Sequence, residues 1–176
     1  MDRPIFFDTV SVRAILAGLK TQTRRAFSMP EGQPGDPAEI SLKGWHPHYQ
    51  RGDVLWIREA WGIGIQSTGE IIYKADYIDK KAPLAEGQRW RPSLRMPRSV
   101  ARIFLRVTDV RVERLQDISE ADAIAEGLDN AAAYTPKENI ERFAAFWDSF
   151  SAKRGYGWDT NPWVWAYTFE LVRKEK

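Results

Sequence analysis

Apolar and polar residues alternate most clearly between positions 101 and 115. Ala101, Ile103, Leu105 and Val107 take turns with Arg102, Phe104, Arg106 and Thr108. That period of two predicts a strand with one buried and one polar face, because successive side chains leave a strand on opposite sides. Val110, Val112 and Leu115 prolong the pattern beyond Asp109, where a bend is expected. Trp163–Val172 reads the same way, with Trp165, Tyr167, Phe169 and Leu171 on one face. Shorter strands are predicted at Val54–Arg58, behind a Gly52-Asp53 turn, and at Ile71–Tyr73.

Helical periods occupy three places. Asp8 or Thr9 can cap a helix whose apolar positions are Val10, Ala14 and Ala17, with Ile15 and Leu16. It spans about two turns, too short to stand without packing, and Gly18 suits the left-handed position where helices stop. Over 119–128, Ser119 is an N-cap, Glu120 and Asp122 complement the helix dipole, and Gly127 ends the helix. Thr135-Pro136-Lys137-Glu138 is a capping box with proline in the first turn. Ile140, Phe143, Ala144, Trp147 and Phe150 follow at helical spacing, so this stripe reads as core.

Short strands with few helices, and no strand–helix–strand rhythm, predict an α+β fold around a largely antiparallel sheet. A chain of 176 residues suits one domain, taken as 1–176, with one substantial core. Two stretches without clear periodicity, 28–50 and 62–98, read as loop insertions; loops this long are usually functional or disordered.

Composition narrows the chemistry. With no cysteine, disulfides and thiolate zinc sites are excluded, and a reducing cytoplasm is the expected location. His46 and His48 are the only histidines and read as part of an exposed loop, so neither a metal nor a cofactor is expected. No apolar run reaches membrane-spanning length, and no signal-peptide pattern opens the chain. The net charge of +2 is unevenly spread. Arg89, Arg91, Arg95, Arg98, Arg102, Arg106, Arg111 and Arg114 face only Asp109 and Glu113 in one stretch. Near the start, Arg3, Arg13, Lys20, Arg24 and Arg25 outnumber Asp2 and Asp8. Such arginine-rich stretches suit either phosphate contact or the solvent face of a strand. Of eight tryptophans, Trp56, Trp147 and Trp165 fall in periodic elements and read as core. Trp45, Trp61, Trp90 and Trp158 lie beside Gly or Pro, where a ring can stack on a base or simply cover a core.

The run Gly18-Leu19-Lys20-Thr21-Gln22-Thr23-Arg24-Arg25 sets an amine, two hydroxyls and two guanidinium groups directly after a helix-ending glycine. Polar groups leaving a sharp helix exit can converge on one ligand, whereas a solvated loop is the ordinary alternative. This run matches the signature Gly-x-Lys-x-x-Thr/Glu-x-Arg of the ASCH domain family, which is related to the PUA fold. Gly52-Asp53-Val54-Leu55, the helix over 119–128 with its Glu126-Gly127-Leu128 end, and the final strand occur in the family's order. The chain also resembles the longer ASCH proteins of bacterial and prophage genomes through 90–98 and 154–163.

The resemblance implies a five- or six-stranded barrel with helices at its ends and a cleft beside the signature. Some small ASCH proteins are amidohydrolases that deacylate N4-acetylcytidine, and their lysine, threonine and glutamate fall on Lys20, Thr23 and Glu126. Others are reported to bind or cut RNA. The expected partner is therefore a nucleoside, RNA or modified nucleic acid, contacted by Thr21, Arg25, Trp61, Arg98, Tyr156 and Trp158. This chain is far longer than the small enzymes, and its two loops can reshape the cleft.

Amide hydrolysis needs a nucleophile, a base and a proton for the leaving amine. Lys20 can activate the Thr23 hydroxyl only as a neutral amine, and lysine starts at a pKa of about 10.4. Burial and the neighbouring cations Arg24 and Arg25 lower that value, whereas an acid in reach raises it. If attraction to Glu126 wins, Lys20 is the cation facing a developing oxyanion and Glu126 the proton carrier. Glu126 lies where a helix dipole repels it, which points to a cationic partner. Lys20 and Thr23 are an odd number of positions apart, so a straight strand would set them on opposite sides. A ribonuclease reading lacks a histidine pair.

Overall fold

The computed structural model describes residues 2–28, 46–65, 70–77, 81–129 and 131–172. In chain order their elements are β1 (Asp2–Phe6), α1 (Thr9–Leu16), β2 (Gln22–Ala26), β3 (Val54–Arg58), β4 (Trp61–Ile63), β5 (Ile71–Tyr73), β6 (Phe104–Arg114), α2 (Glu120–Ala125), α3 (Pro136–Ser151) and β7 (Trp163–Val172). Five strands form a sheet of order β1-β3-β6-β7-β2, and β4 pairs with β5 alone. β1 runs parallel to β3, whereas β3–β6 and β2–β7 are antiparallel. The fold is α+β with a mixed sheet, and the described pairings do not close it into the barrel that the resemblance implied. No helix among the described residues is long and apolar enough to cross a membrane.

The chain divides into two compact units. The first comprises Met1–Gly18, Asp53–Arg106 and Glu170–Lys176, the second Leu19–Gly52 and Val107–Phe169. In the first unit, the Asp8 carboxylate caps α1 by accepting from the amides of Val10 and Ser11. The helix buries Ser11, Val12 and Ile15, while Val10 is exposed and stands off the packed side. The core here joins Trp56, Trp61, Met96, Ala101 and Phe104. Phe104, assigned by alternation to the polar face of its strand, is buried because this cluster covers that face as well.

Gly62 in β4 marks a close approach. A Cβ there would lie 2.7 Å from Leu84 Cδ2 and 3.3 Å from the Trp90 ring. Gly62→Ala is therefore expected to cost about 1–3 kcal/mol through overpacking. A urea-unfolding midpoint unchanged from wild type would show that Leu84 simply turns aside.

In the second unit, Leu115, Ile118, Ala123, Phe143, Trp147 and Val164 form the core. β6 continues unbroken through Asp109, whose exposed carboxylate pairs with Arg111. The Thr135–Glu138 capping box is complete and starts α3. The buried stripe of α3 is Asn139, Phe143, Trp147 and Ser151, whereas Phe150 is exposed. Asn139 is tolerated inside because its Nδ2 donates to Glu120 Oε1 and to the Ala131 carbonyl, both at 3.1 Å.

Candidate active site

β2, Gln-Thr-Arg-Arg-Ala, has no apolar alternation, yet Gln22, Thr23 and Arg24 are buried. Pairing with β7 explains how. Thr23 stands opposite Tyr167 and Arg25 opposite Trp165, while Gln22 and Arg24 face Thr168 and Ala166. Opposed residues of an antiparallel pair share a face. Thr23 and Arg25 therefore lie with Tyr167 and Trp165, and Gln22 and Arg24 project from the other side. On that other side, Asp122 in α2 and Glu126 at its C-cap are four residues apart, so they occupy one helix face.

The chain just before β2 is stitched to the end of α2. Lys20 and Glu126 form an antiparallel bridge, the Thr21 amide donates to the Ala125 carbonyl at 2.8 Å, and the Thr21 carbonyl accepts from Phe169 at 2.9 Å. Lys20 Nζ then donates to Glu126 Oε2 at 2.6 Å and to the Glu126 carbonyl at 2.8 Å. Their side chains are only 2% and 4% exposed. The other carboxylate oxygen, Oε1, accepts from Arg24 Nη1 at 3.1 Å.

The network extends outward with its charges balanced. Arg24, fully buried, donates from Nε to Glu113 Oε1 at 2.8 Å, and its Nη2 lies 3.3 Å from Asp122 Oδ2. Gln22 accepts from Arg24 and donates to Asp122 Oδ1 at 2.8 Å. Arg111 closes the outer edge by donating to Glu113 and Asp122. Lys20, Arg24 and Arg111 thus meet Glu113, Asp122 and Glu126, which is the condition under which buried charge is tolerated.

Ionisations on both faces of β2 are shifted by their surroundings. Desolvation alone would raise the Asp122 carboxyl, but the Gln22 bond, Arg111, Ser119 and Arg24 outweigh it and hold the group below its ordinary value of 3.8. A depressed carboxylate stabilises the fold at pH above its ordinary value and loses that contribution as pH falls through the lowered one. Asp122→Asn is therefore expected to flatten the acid side of the stability–pH curve below about pH 4. An unaltered slope in acid denaturation followed by circular dichroism would contradict it. On the opposite face, burial lowers the Arg25 guanidinium against the pull of Glu126 and Tyr49. Burial also pushes Tyr167 up to about 12, although the amides of Tyr49 and His48 donate to its hydroxyl oxygen.

The remaining predicted contacts fall in both units. Thr21 exposes its side chain and acts through its backbone. The Tyr156 carbonyl accepts from Trp147 Nε1 at 2.6 Å, and Trp158 packs edge-on to Phe143 while its amide donates to Asp148. Both residues tie the 152–162 segment to α3. In the first unit, Trp61 is a core residue with the Arg91 guanidinium 4.7 Å above its ring. Arg98 there pairs with Asp2, and Arg102 forks onto Glu59 and Asp76 above the Tyr73 ring. Arg98 and Arg102, two of the eight arginines in the arginine-rich stretch, are thereby paired with carboxylates. Trp45 lies outside the described residues. His48 stands edge-on to Tyr49, and no cluster able to hold a metal occurs among the described residues.

Sequence reasoning missed Gln22, Arg24, Glu113, Asp122 and Arg111 as parts of one network. Two signals for it were present: Lys20, Gln22 and Arg24 at a period of two, and Asp122 and Glu126 four apart.

No family model matches the chain, and no curated protein matches it. Among solved structures, a protein of Enterococcus faecalis V583 assigned to the family DUF984 is similar at 16% identity and a TM-score of 0.48, over 98% of this chain and 77% of that one. Neighbours of the chain also include an ASCH domain from Lactobacillus crispatus JV V101, at 15% identity and a TM-score of 0.49, over 98% of this chain and 80% of that one.

Proposed function

We propose that the second unit is an ASCH-type amidohydrolase acting on an N-acylated nucleobase or nucleoside of the N4-acetylcytidine kind. The observation that carries this reading is the water-excluded ion pair of Lys20 and Glu126. A buried ion pair is a poor device for stability, because apolar residues of similar volume often serve as well. Ionisable groups held out of water beside a specific charge partner are, in contrast, what acid–base chemistry uses.

In this reading Lys20 remains an ammonium, since a carboxylate oxygen 2.6 Å away favours its charged form. It therefore faces the developing oxyanion, and Glu126 is the base. Water attacks the acyl carbon while Glu126 takes its proton. The C–N bond then breaks, and that proton passes to the leaving exocyclic amine, giving the free base and a carboxylic acid. Thr23 shares its face with Arg25 and Tyr167, away from Gln22 and Arg24, and takes no step in this reaction. Side chains so little exposed meet only a small group, and the engagement of Arg98 and Arg102 by carboxylates leaves less positive surface for a polymer backbone.

Purified protein incubated with N4-acetylcytidine is expected to release cytidine and acetate, followed by chromatography with mass detection. Intact substrate would sink the hydrolase reading. Steeply salt-dependent binding of single-stranded RNA by that inert protein would favour a nucleic-acid-binding module instead.

A further inference from the structure

We propose that Arg24 is the positioning residue of this site: it fixes the rotation of the Glu126 carboxylate so that Oε2 alone is presented to Lys20 and the reacting group. The proposal rests on the hydrolase reading for its kinetic consequence, but its geometric part stands apart from it. A glutamate carboxylate turns easily about its last bond, where the torsional wells are broad and roughly two-fold. Lys20 by itself, holding one oxygen, would leave the other free to swing. Arg24 Nη1 removes that freedom by taking Oε1 at 3.1 Å.

Arg24 can do so because it is itself immobilised. Its Nε is bonded to Glu113, its Nη1 also reaches Gln22 Oε1 at 3.3 Å, and its guanidinium carbon lies 6.0 Å from the Phe143 ring centroid. Glu113 is held in turn by Arg111. The planar fork joins Glu126, Gln22 and Glu113 at fixed angles, which a lysine ammonium of equal charge cannot reproduce. Charge compensation alone would need only a cation here; orientation needs this one.

The test uses Arg24→Lys, which keeps the charge, and Glu113→Gln, which keeps Arg24 but loosens its anchor. Two readouts are taken on protein shown by circular dichroism and thermal unfolding to keep its fold. The first is the Lys20 ammonium signal in proton–nitrogen NMR, identified by its loss in Lys20→Met. The second is steady-state hydrolysis of N4-acetylcytidine. Both variants are expected to shift or broaden the ammonium signal. They are also expected to lower kcat by up to about 10²-fold, the scale of a 1 Å misplacement, with KM within a few-fold of wild type. An unmoved ammonium signal, or kcat equal to wild type in a turning-over enzyme, overturns the proposal. If wild type hydrolyses nothing but the signal moves, the positioning role stands and the hydrolase reading falls. Should Arg24→Lys fail to fold, Glu113→Gln decides on the same two readouts.

Discussion

Glu126→Gln is expected to lower kcat/KM on N4-acetylcytidine by roughly 10²–10⁴-fold, the contribution of a positioned acid–base group. The substitution keeps the shape of the side chain and removes its negative charge. Only one oxygen remains, so the amide can accept from Lys20 or from Arg24 but not from both. The loss should fall on kcat, because a proton acceptor acts in the transition state and contributes little to ground-state binding. Activity within a few-fold of wild type, in protein of native circular dichroism, would remove Glu126 from the chemistry.

The second large effect concerns stability. Lys20→Met deletes one cation from the balanced network and leaves the Glu126 carboxylate bonded to Arg24, itself shared with Glu113 and Asp122. Breaking a buried pair from one side typically costs about 3–5 kcal/mol, because an uncompensated charge stays out of water. Lys20→Met paired with Glu126→Leu removes both signs at once, and the remainder, Arg24 and Arg111 against Glu113 and Asp122, is again neutral. The double variant is therefore expected to be more stable than either single variant. A double-mutant cycle by chemical denaturation measures this coupling directly. Simple addition of the two losses would show that Lys20 and Glu126 contribute separately and that their bond is incidental.

A network of buried charges also explains why the sequence was only partly legible. The strands β3, β5, β6 and β7 and the three described helices announce themselves through local rules: period-two alternation, caps at Asp8, Ser119 and Thr135, and stop glycines at 18 and 127. Each depends on residues a few positions apart, so the order of residues suffices. β2 carries no such mark. Two of its buried residues are Gln22 and Arg24, whose donors are met by carboxylates about a hundred positions later. β1 is short and interrupted by Pro4, and it becomes a strand by pairing in parallel with β3.

The candidate site divides the same way. The misplaced charge of Glu126 at a helix end implied a cationic partner, and Lys20 is that partner. The odd spacing of Lys20 and Thr23 foretold a conflict of faces, and the register of β2 on β7 puts Thr23 with Arg25 and Tyr167, away from Gln22 and Arg24. By itself, then, the chain determined its α+β class, most of its elements and the pairing of one amine with one acid. Tertiary structure alone decided that Arg24 joins that pair instead of repelling Lys20. It also decided that Trp61 joins a core, that Trp158 stands edge-on to Phe143, and that Arg98 and Arg102 pair with acids. The reason is physical: burial and Coulomb attraction depend on distance in space, and a strand pairing that turns one face toward a helix fixes those distances without leaving a local trace.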